Sequence, residues 1–170
     1  MKLKSKDIAV FAVLAALMFA SKKAMELIPN VHLLGMFIVS ITAIYRSYAL
    51  IPIYVYVFLD GIFGGFSTWW VPYLYIWAVL WAFTMLVPKK LPEKIKFGLY
   101  IGASALHGFL YGTLYAPAHA LIFGLDFKGM ISWIITGLPF DITHGVSNLI
   151  LGFLIPPMIL IIKKIRPTER

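Results

Sequence analysis

Long apolar runs fill this chain, and only short polar gaps separate them. A helix needs about 20 residues to cross about 30 Å of hydrocarbon. The first run covers 8–28 and is closed by Pro29-Asn30. A shorter run, 31–45, ends at Arg46. The third covers 48–65, and a turn-like stretch with the aromatic pair Trp69-Trp70 follows. The fourth, 72–87, precedes a hydrophilic loop over 88–96. The fifth covers 97–116 and is closed by Pro117; the last covers 139–162 and leads into a basic tail. The pattern predicts an all-α membrane protein with six transmembrane helices, and the 170 residues suit one integral membrane domain.

Charge gives the pattern a direction. Lys and Arg favour the cytoplasmic side of a membrane. With the N-terminus inside, inner segments hold Lys2, Lys4, Lys6, Arg46, Lys89, Lys90, Lys94, Lys96, Lys163, Lys164, Arg166 and Arg170. Only Lys22, Lys23 and Lys128 fall in the outer half. That bias requires an even number of spans and puts both termini in the cytoplasm. The stretch 118–138 is apolar but interrupted by Gly124, Asp126, Lys128 and Gly129. It suits a span, a re-entrant piece or an outer lid. A span would reverse the C-terminus and put four basic residues outside, so the reading is an outer lid with a short amphipathic helix. Pro139 then opens the last helix, with Asp141 in its first turn, where the helix dipole favours a carboxylate.

Composition agrees with a membrane. Hydrophobic residues make up 61% and charged residues 13% of the chain, and mean hydropathy is +0.89. Soluble domains hold nearer 25% charged residues. A formal charge of +8 would suggest nucleic acid in a soluble protein. Here the basic residues fall in blocks between apolar runs, so topology accounts for them and no nucleic-acid partner is expected. The basic start followed by an apolar run also suits a signal peptide, but 8–28 is long for one and more spans follow it. The localisation expected is therefore the bacterial plasma membrane, multi-pass, with the lipid bilayer as surroundings. There is no cysteine, which removes disulfides, thiolate metal sites and thiol nucleophiles.

Polar groups at membrane depth are expensive and usually face protein or a wet cavity. In this chain they concentrate in the outer halves of the spans. His107, Tyr111 and Tyr115 recur every four residues and share a helical face, with His119 just beyond. Asp141, His144 and Asn148 share another. Asp60 lies in the outer half of the third span; Trp69, Trp70 and Tyr73 lie in the outer loop, and Trp77 is one turn deeper. Together these twelve residues outline an outward-facing aromatic and polar pocket. Ordinary roles compete with that reading: a membrane-interface belt for Trp69 and Trp70, interhelical hydrogen bonds for the His107 face, a helix cap for Asp141. Lys22 and Glu26, four apart, suit an ion pair, while Lys23 snorkels outward. Ala9, Ala12, Ala16 and Ala20 make a small-residue stripe suited to close helix approach.

Several chemistries lack their motifs. No Walker-type loop, His-Glu-x-x-His or Gly-x-Ser-x-Gly sequence occurs. The chain is therefore read as no enzyme and as holding no metal or cofactor of its own. No long internal repeat is visible, which weakens a stand-alone transporter built from inverted repeats.

The small, basic, six-span pattern resembles the substrate-binding S components of energy-coupling factor vitamin transporters. The resemblance covers nearly the whole chain, by architecture more than by a sharp motif. It includes the Lys-rich start and alanine-rich first helix, Lys4-Ser-Lys-Asp-Ile-Ala-Val-Phe-Ala-Val-Leu-Ala-Ala. The resemblance implies that Ala12 and Ala16, and more loosely Ala20, dock on a transmembrane coupling subunit. It also implies a vitamin pocket opening outward between the outer loops and the last three helices. Two partner ATPase subunits would consume the ATP. The stretches from Phe66 to Trp77 and from Leu138 to Gly145 do not look like those of the biotin, folate or riboflavin members. The N-terminal histidine of nickel and cobalt relatives is missing, which argues against a metal substrate. Aromatic faces with Asp and Asn suit a planar nitrogen heterocycle: pyridoxine, hydroxymethylpyrimidine, thiamine-like or purine-like compounds. On this reading Asp141→Ala and Trp70→Ala each weaken binding. A stand-alone small-solute transporter is the alternative, and an intramembrane enzyme using His107, His144 and Asp141 a more distant one.

Overall fold

The computed structural model describes residues 5–165, and Lys2, Lys4, Arg166 and Arg170 lie outside them. The described residues form eight α-helices and two short 3-10 joints, with no strand among them. The helices are α1 (Ser5–Ala24), α2 (Leu34–Tyr45), α3 (Leu50–Gly64), α4 (Tyr73–Met85), α5 (Glu93–Phe109), α6 (Tyr111–Phe123), α7 (Phe127–Leu151) and α8 (Ile155–Ile165). The joints are Arg46–Ala49 and Gly152–Leu154. Two continuous helical stretches, Leu34–Gly64 and Phe127–Ile165, are long and apolar enough to cross a membrane.

Leu34–Gly64 is not one straight rod. Arg46 adopts φ 54° and ψ −121°, a region that a side chain disfavours, and this ends α2. Two bonds hold the break: Arg46 Nη2 donates to the Met85 carbonyl at 2.8 Å, and Trp81 Nε1 donates to the Arg46 carbonyl at 3.0 Å. Six helical arms result: α1, α2, α3, α4, α5–α6 and α7–α8.

Side-chain contacts fix the direction of each arm. Phe11, early in α1, packs edge-on against Tyr45 at the end of α2, so these two run antiparallel. Lys22, late in α1, reaches Asp60, late in α3. Met85 and Trp81, late in α4, bond Arg46 just before α3, and Tyr111 at the start of α6 meets His144 late in α7. The arms alternate, and both ends of the described chain lie at one end of the bundle. That end also gathers Arg46, Lys96 and Lys163. Lys96 donates to Glu93 at 2.6 Å, and this bond holds the Glu93 carboxyl below its usual range, with Lys163 adding to the effect.

The interior is built around α2. Ten of its twelve residues are buried, among them Leu34, Phe37, Ile38, Val39 and Ile41. A helix apolar all round belongs in a core or a membrane. By contrast α1 buries one stripe, Phe11, Leu14, Ala15 and Met18, at the spacing of a single helix face. Its other side, with Ala9, Ala12, Ala16 and Ala20, is exposed. Large apolar side chains are exposed over the whole outside, such as Leu121, Ile150 and Phe153. Soluble monomers rarely expose contiguous apolar surface on this scale.

The segment 118–138 differs from the expected lid with a short helix. It forms the tip of a long helical hairpin. Pro117 lies inside α6 and does not end it; Pro139 lies inside α7 and does not start it. The turn sits at Gly124, whose φ of 66° suits a residue without Cβ. Leu125 N–H then donates back to the Ala120 carbonyl at 2.9 Å. Asp126 caps α7, its Oδ1 accepting from Gly129 N–H at 2.7 Å.

Candidate functional site

A cavity of about 330 Å³ opens at the end of the bundle away from Arg46 and Glu93. Tyr73 of α4, Tyr111 and Tyr115 of α6 and His144 of α7 form one side. The end of α1 and the loop to α2 form the other, through Lys22, Glu26 and the run from Ile28 to His32.

Four of the residues singled out in the sequence line this cavity: Tyr73, Tyr111, Tyr115 and His144. Their register explains it. His107, Tyr111 and Tyr115 follow one another along a face with ring centroids 6.1 and 6.2 Å apart, although the helix is interrupted at Leu110 between them. His144 meets Tyr111 at 4.7 Å from the neighbouring helix.

Four more stand behind the wall. Trp77 is buried, with its ring 5.5 Å from Tyr73 and 5.6 Å from His107. His107 Nε2 lies 3.0 Å from the Ile76 carbonyl, so that nitrogen carries the proton and donates. Trp69 packs edge-on against Tyr73, and its carbonyl accepts from Tyr115 Oη at 3.2 Å. Asp60 is fully buried and pairs with Lys22, whose Nζ stands 5.4 Å from the Trp69 ring and 5.1 Å from that of Tyr73. The expected pairing of Lys22 with Glu26 is thereby corrected. Lys23 takes Glu26 at 2.6 Å, and Lys22 turns inward.

The other four do structural work outside the cavity wall. Trp70 Nε1 donates to the Val57 carbonyl at 2.8 Å, and the ring packs on Phe66. His119 stacks on Trp133 at 4.7 Å. Asn148 Nδ2 donates to the Ser104 carbonyl at 3.1 Å. Asp141 lies deep within α7, not in a first turn, and its Oδ1 accepts from Gly112 N–H at 2.8 Å. The break at Leu110 explains this bond: Gly112 opens the new helix, where N–H groups lack intrahelical acceptors, and Asp141 supplies one. A Cβ there would lie 2.6 Å from Asp141 Oδ2, so a larger residue would push the carboxylate away from this bond.

Sequence reasoning missed His32. Its ring lies 4.6 Å from His144 and 5.8 Å from Trp77, and its Nδ1 has no hydrogen-bond partner among the described residues. The signal was present: a histidine among Val31, Leu33 and Leu34 is as costly at membrane depth as the others. Among the described residues, no three His, Cys, Asp or Glu side chains converge to hold a metal ion.

The arrangement offers groups that can hold a small molecule. Rings provide flat apolar faces, and buried imidazole and hydroxyl groups provide directional hydrogen bonds. Compared with known proteins, the chain matches no family model, no curated protein and no solved structure.

Proposed function

We propose that this protein is the substrate-binding S component of an energy-coupling factor importer for a water-soluble vitamin or vitamin precursor in a bacterial plasma membrane. The observation that carries the proposal is the tyrosine- and histidine-lined cavity at the end of the bundle opposite the basic cluster. If Arg46, Lys96 and Lys163 mark the cytoplasmic side, as basic residues generally do, the cavity faces outward. Six alternating arms with both termini inside fit that orientation. The exposed Ala12, Ala16 and Ala20 face of α1 supports a second role, docking on a transmembrane coupling subunit that two ATPases drive. The cavity's size and rings favour a planar nitrogen heterocycle.

Co-expression of the tagged chain with an energy-coupling factor module, followed by mass spectrometry of the purified complex, tests the proposal. The expected result is recovery of the coupling subunit, both ATPases and a retained small molecule. Recovery of the chain alone, together with uptake in cells lacking any such module, would favour a stand-alone transporter.

A further inference from the structure

The cavity wall carries two formal charges, and each already has a partner. Lys22 pairs with the carboxylate of Asp60, whose side chain is 1% exposed. Glu26 accepts from Lys23 at 2.6 Å. Among the described residues, no Arg and no other Lys lines the wall. Its remaining polar atoms belong mainly to neutral-type groups: imidazoles and phenols. His144 is 2% exposed, and among the described residues its Nε2 has no hydrogen-bond partner; His32 Nδ1 has none either.

We infer that the ligand is a heteroaromatic molecule without net charge, held by hydrogen bonds to His32 and His144, and that the site rejects phosphate esters and cationic derivatives of the same ring. This rests on reading the cavity as the substrate site. An anion needs a free cation. Asp60 already neutralises Lys22, so the pair offers an anion no net positive charge, and drawing Lys22 away would leave a buried carboxylate alone, which is costly. The Glu26 carboxylate would repel the same anion. A cationic ring would seek aromatic faces. Lys22 Nζ already stands over Trp69 and Tyr73, so a second cation there meets a like charge. An uncharged ring meets neither obstacle. It can offer N–H or ring-nitrogen partners to two imidazoles whose buried nitrogens otherwise lack them. The volume, about 330 Å³, sits at the small end of ligand sites and suits one or two fused rings.

The test uses the full chain in nanodiscs and matched pairs of probes: hydroxymethylpyrimidine against thiamine, pyridoxine against pyridoxine 5′-phosphate, adenine against AMP. Binding is read by calorimetry, with native mass spectrometry of any molecule retained from the cell. In the pair that binds, the charged member is expected to be weaker by at least about 100-fold. Equal or tighter binding of the charged member overturns the inference. A retained molecule with net charge also overturns it, while leaving the substrate-binding reading in place. A retained uncharged ring supports both. If no probe binds and nothing is retained, the cavity is not a substrate site, and the inference falls with that reading.

Discussion

Lys22 near the end of α1 and Asp60 near the end of α3 form an ion pair at the cavity, 38 residues apart in the chain. The Asp60 side chain is 1% exposed and that of Lys22 18%. Removing one partner leaves the other charge without its counter-ion in a poorly solvated place. Lys22→Met or Asp60→Leu alone is expected to destabilise the protein by about 3 kcal/mol. The double substitution is expected to recover most of that loss. Thermal melting of all three variants in one detergent checks this. Additive losses in the double variant would mean that the two side chains do not interact.

The same pair marks how far the sequence could be read. Local spacing favoured Lys22 with Glu26, because groups four apart on a helix are neighbours. Only the tertiary packing of α1 on α3 brings Asp60 within reach, and no local pattern encodes that. The apolar runs, by contrast, marked where helices lie, because apolar stretches announce themselves by composition; two of the resulting continuous stretches, Leu34–Gly64 and Phe127–Ile165, are long and apolar enough to cross a membrane. Proline misled the reading twice. Pro117 and Pro139 were expected at helix ends, yet both sit inside helices. A missing backbone donor is tolerable inside an apolar helix when neighbouring groups re-satisfy what it frees. The true turn was written in Gly124 and in Asp126 with Gly129, where a left-handed residue precedes a side-chain cap.

Asp141 separates stability from binding. Its carboxylate satisfies Gly112 N–H and lies outside the cavity wall. Asp141→Ala is therefore expected to cost about 1–3 kcal/mol of stability by orphaning a buried donor. Ligand affinity in the folded fraction is expected to stay within a few-fold of wild type. Melting curves and calorimetric titration on the same preparations distinguish the two effects. A large affinity loss without a change in melting would put Asp141 on the ligand. Trp70→Ala belongs to the same class, since its indole holds Val57 and Phe66.

Tyr111 and His144 present the opposite expectation. Both line the cavity, and their rings are 4.7 Å apart. Tyr111→Ala removes a ring face whose stacking is worth about 0.5–1.5 kcal/mol beyond its buried area. Affinity for the ligand is expected to fall roughly tenfold or more once that area is included, at about 1.4 kcal/mol per tenfold. His144→Ala removes a potential partner for the ligand, with a comparable loss. Titration of each variant with the ligand recovered from the native protein decides the matter. Unchanged affinity in both would move the binding site elsewhere.

The alanine face of α1 is exposed, while Phe11, Leu14, Ala15 and Met18 pack inward. Internal packing therefore does not account for Ala12, Ala16 and Ala20. If a partner helix packs there, bulk will exclude it, because small residues permit close backbone approach. Ala16→Trp is expected to abolish co-purification with the proposed coupling subunit while leaving ligand affinity and melting temperature near wild type. Co-purification at the wild-type level would show that the partner docks elsewhere.

Orientation can be tested with little perturbation, because the chain contains no cysteine. Single cysteines can therefore be introduced without a background. Lys128 lies in the first turn of α7 at the hairpin tip, and Lys90 lies in the turn after α4; both are exposed. The alternation of the arms puts these positions at opposite ends of the bundle. In intact cells, Lys128→Cys is expected to react with a membrane-impermeant maleimide, and Lys90→Cys only after the membrane is opened. The basic cluster would then face the cytoplasm, as the preference of Lys and Arg for that side requires. The reverse labelling would turn the cavity inward and remove the premise of an importer that captures its substrate outside.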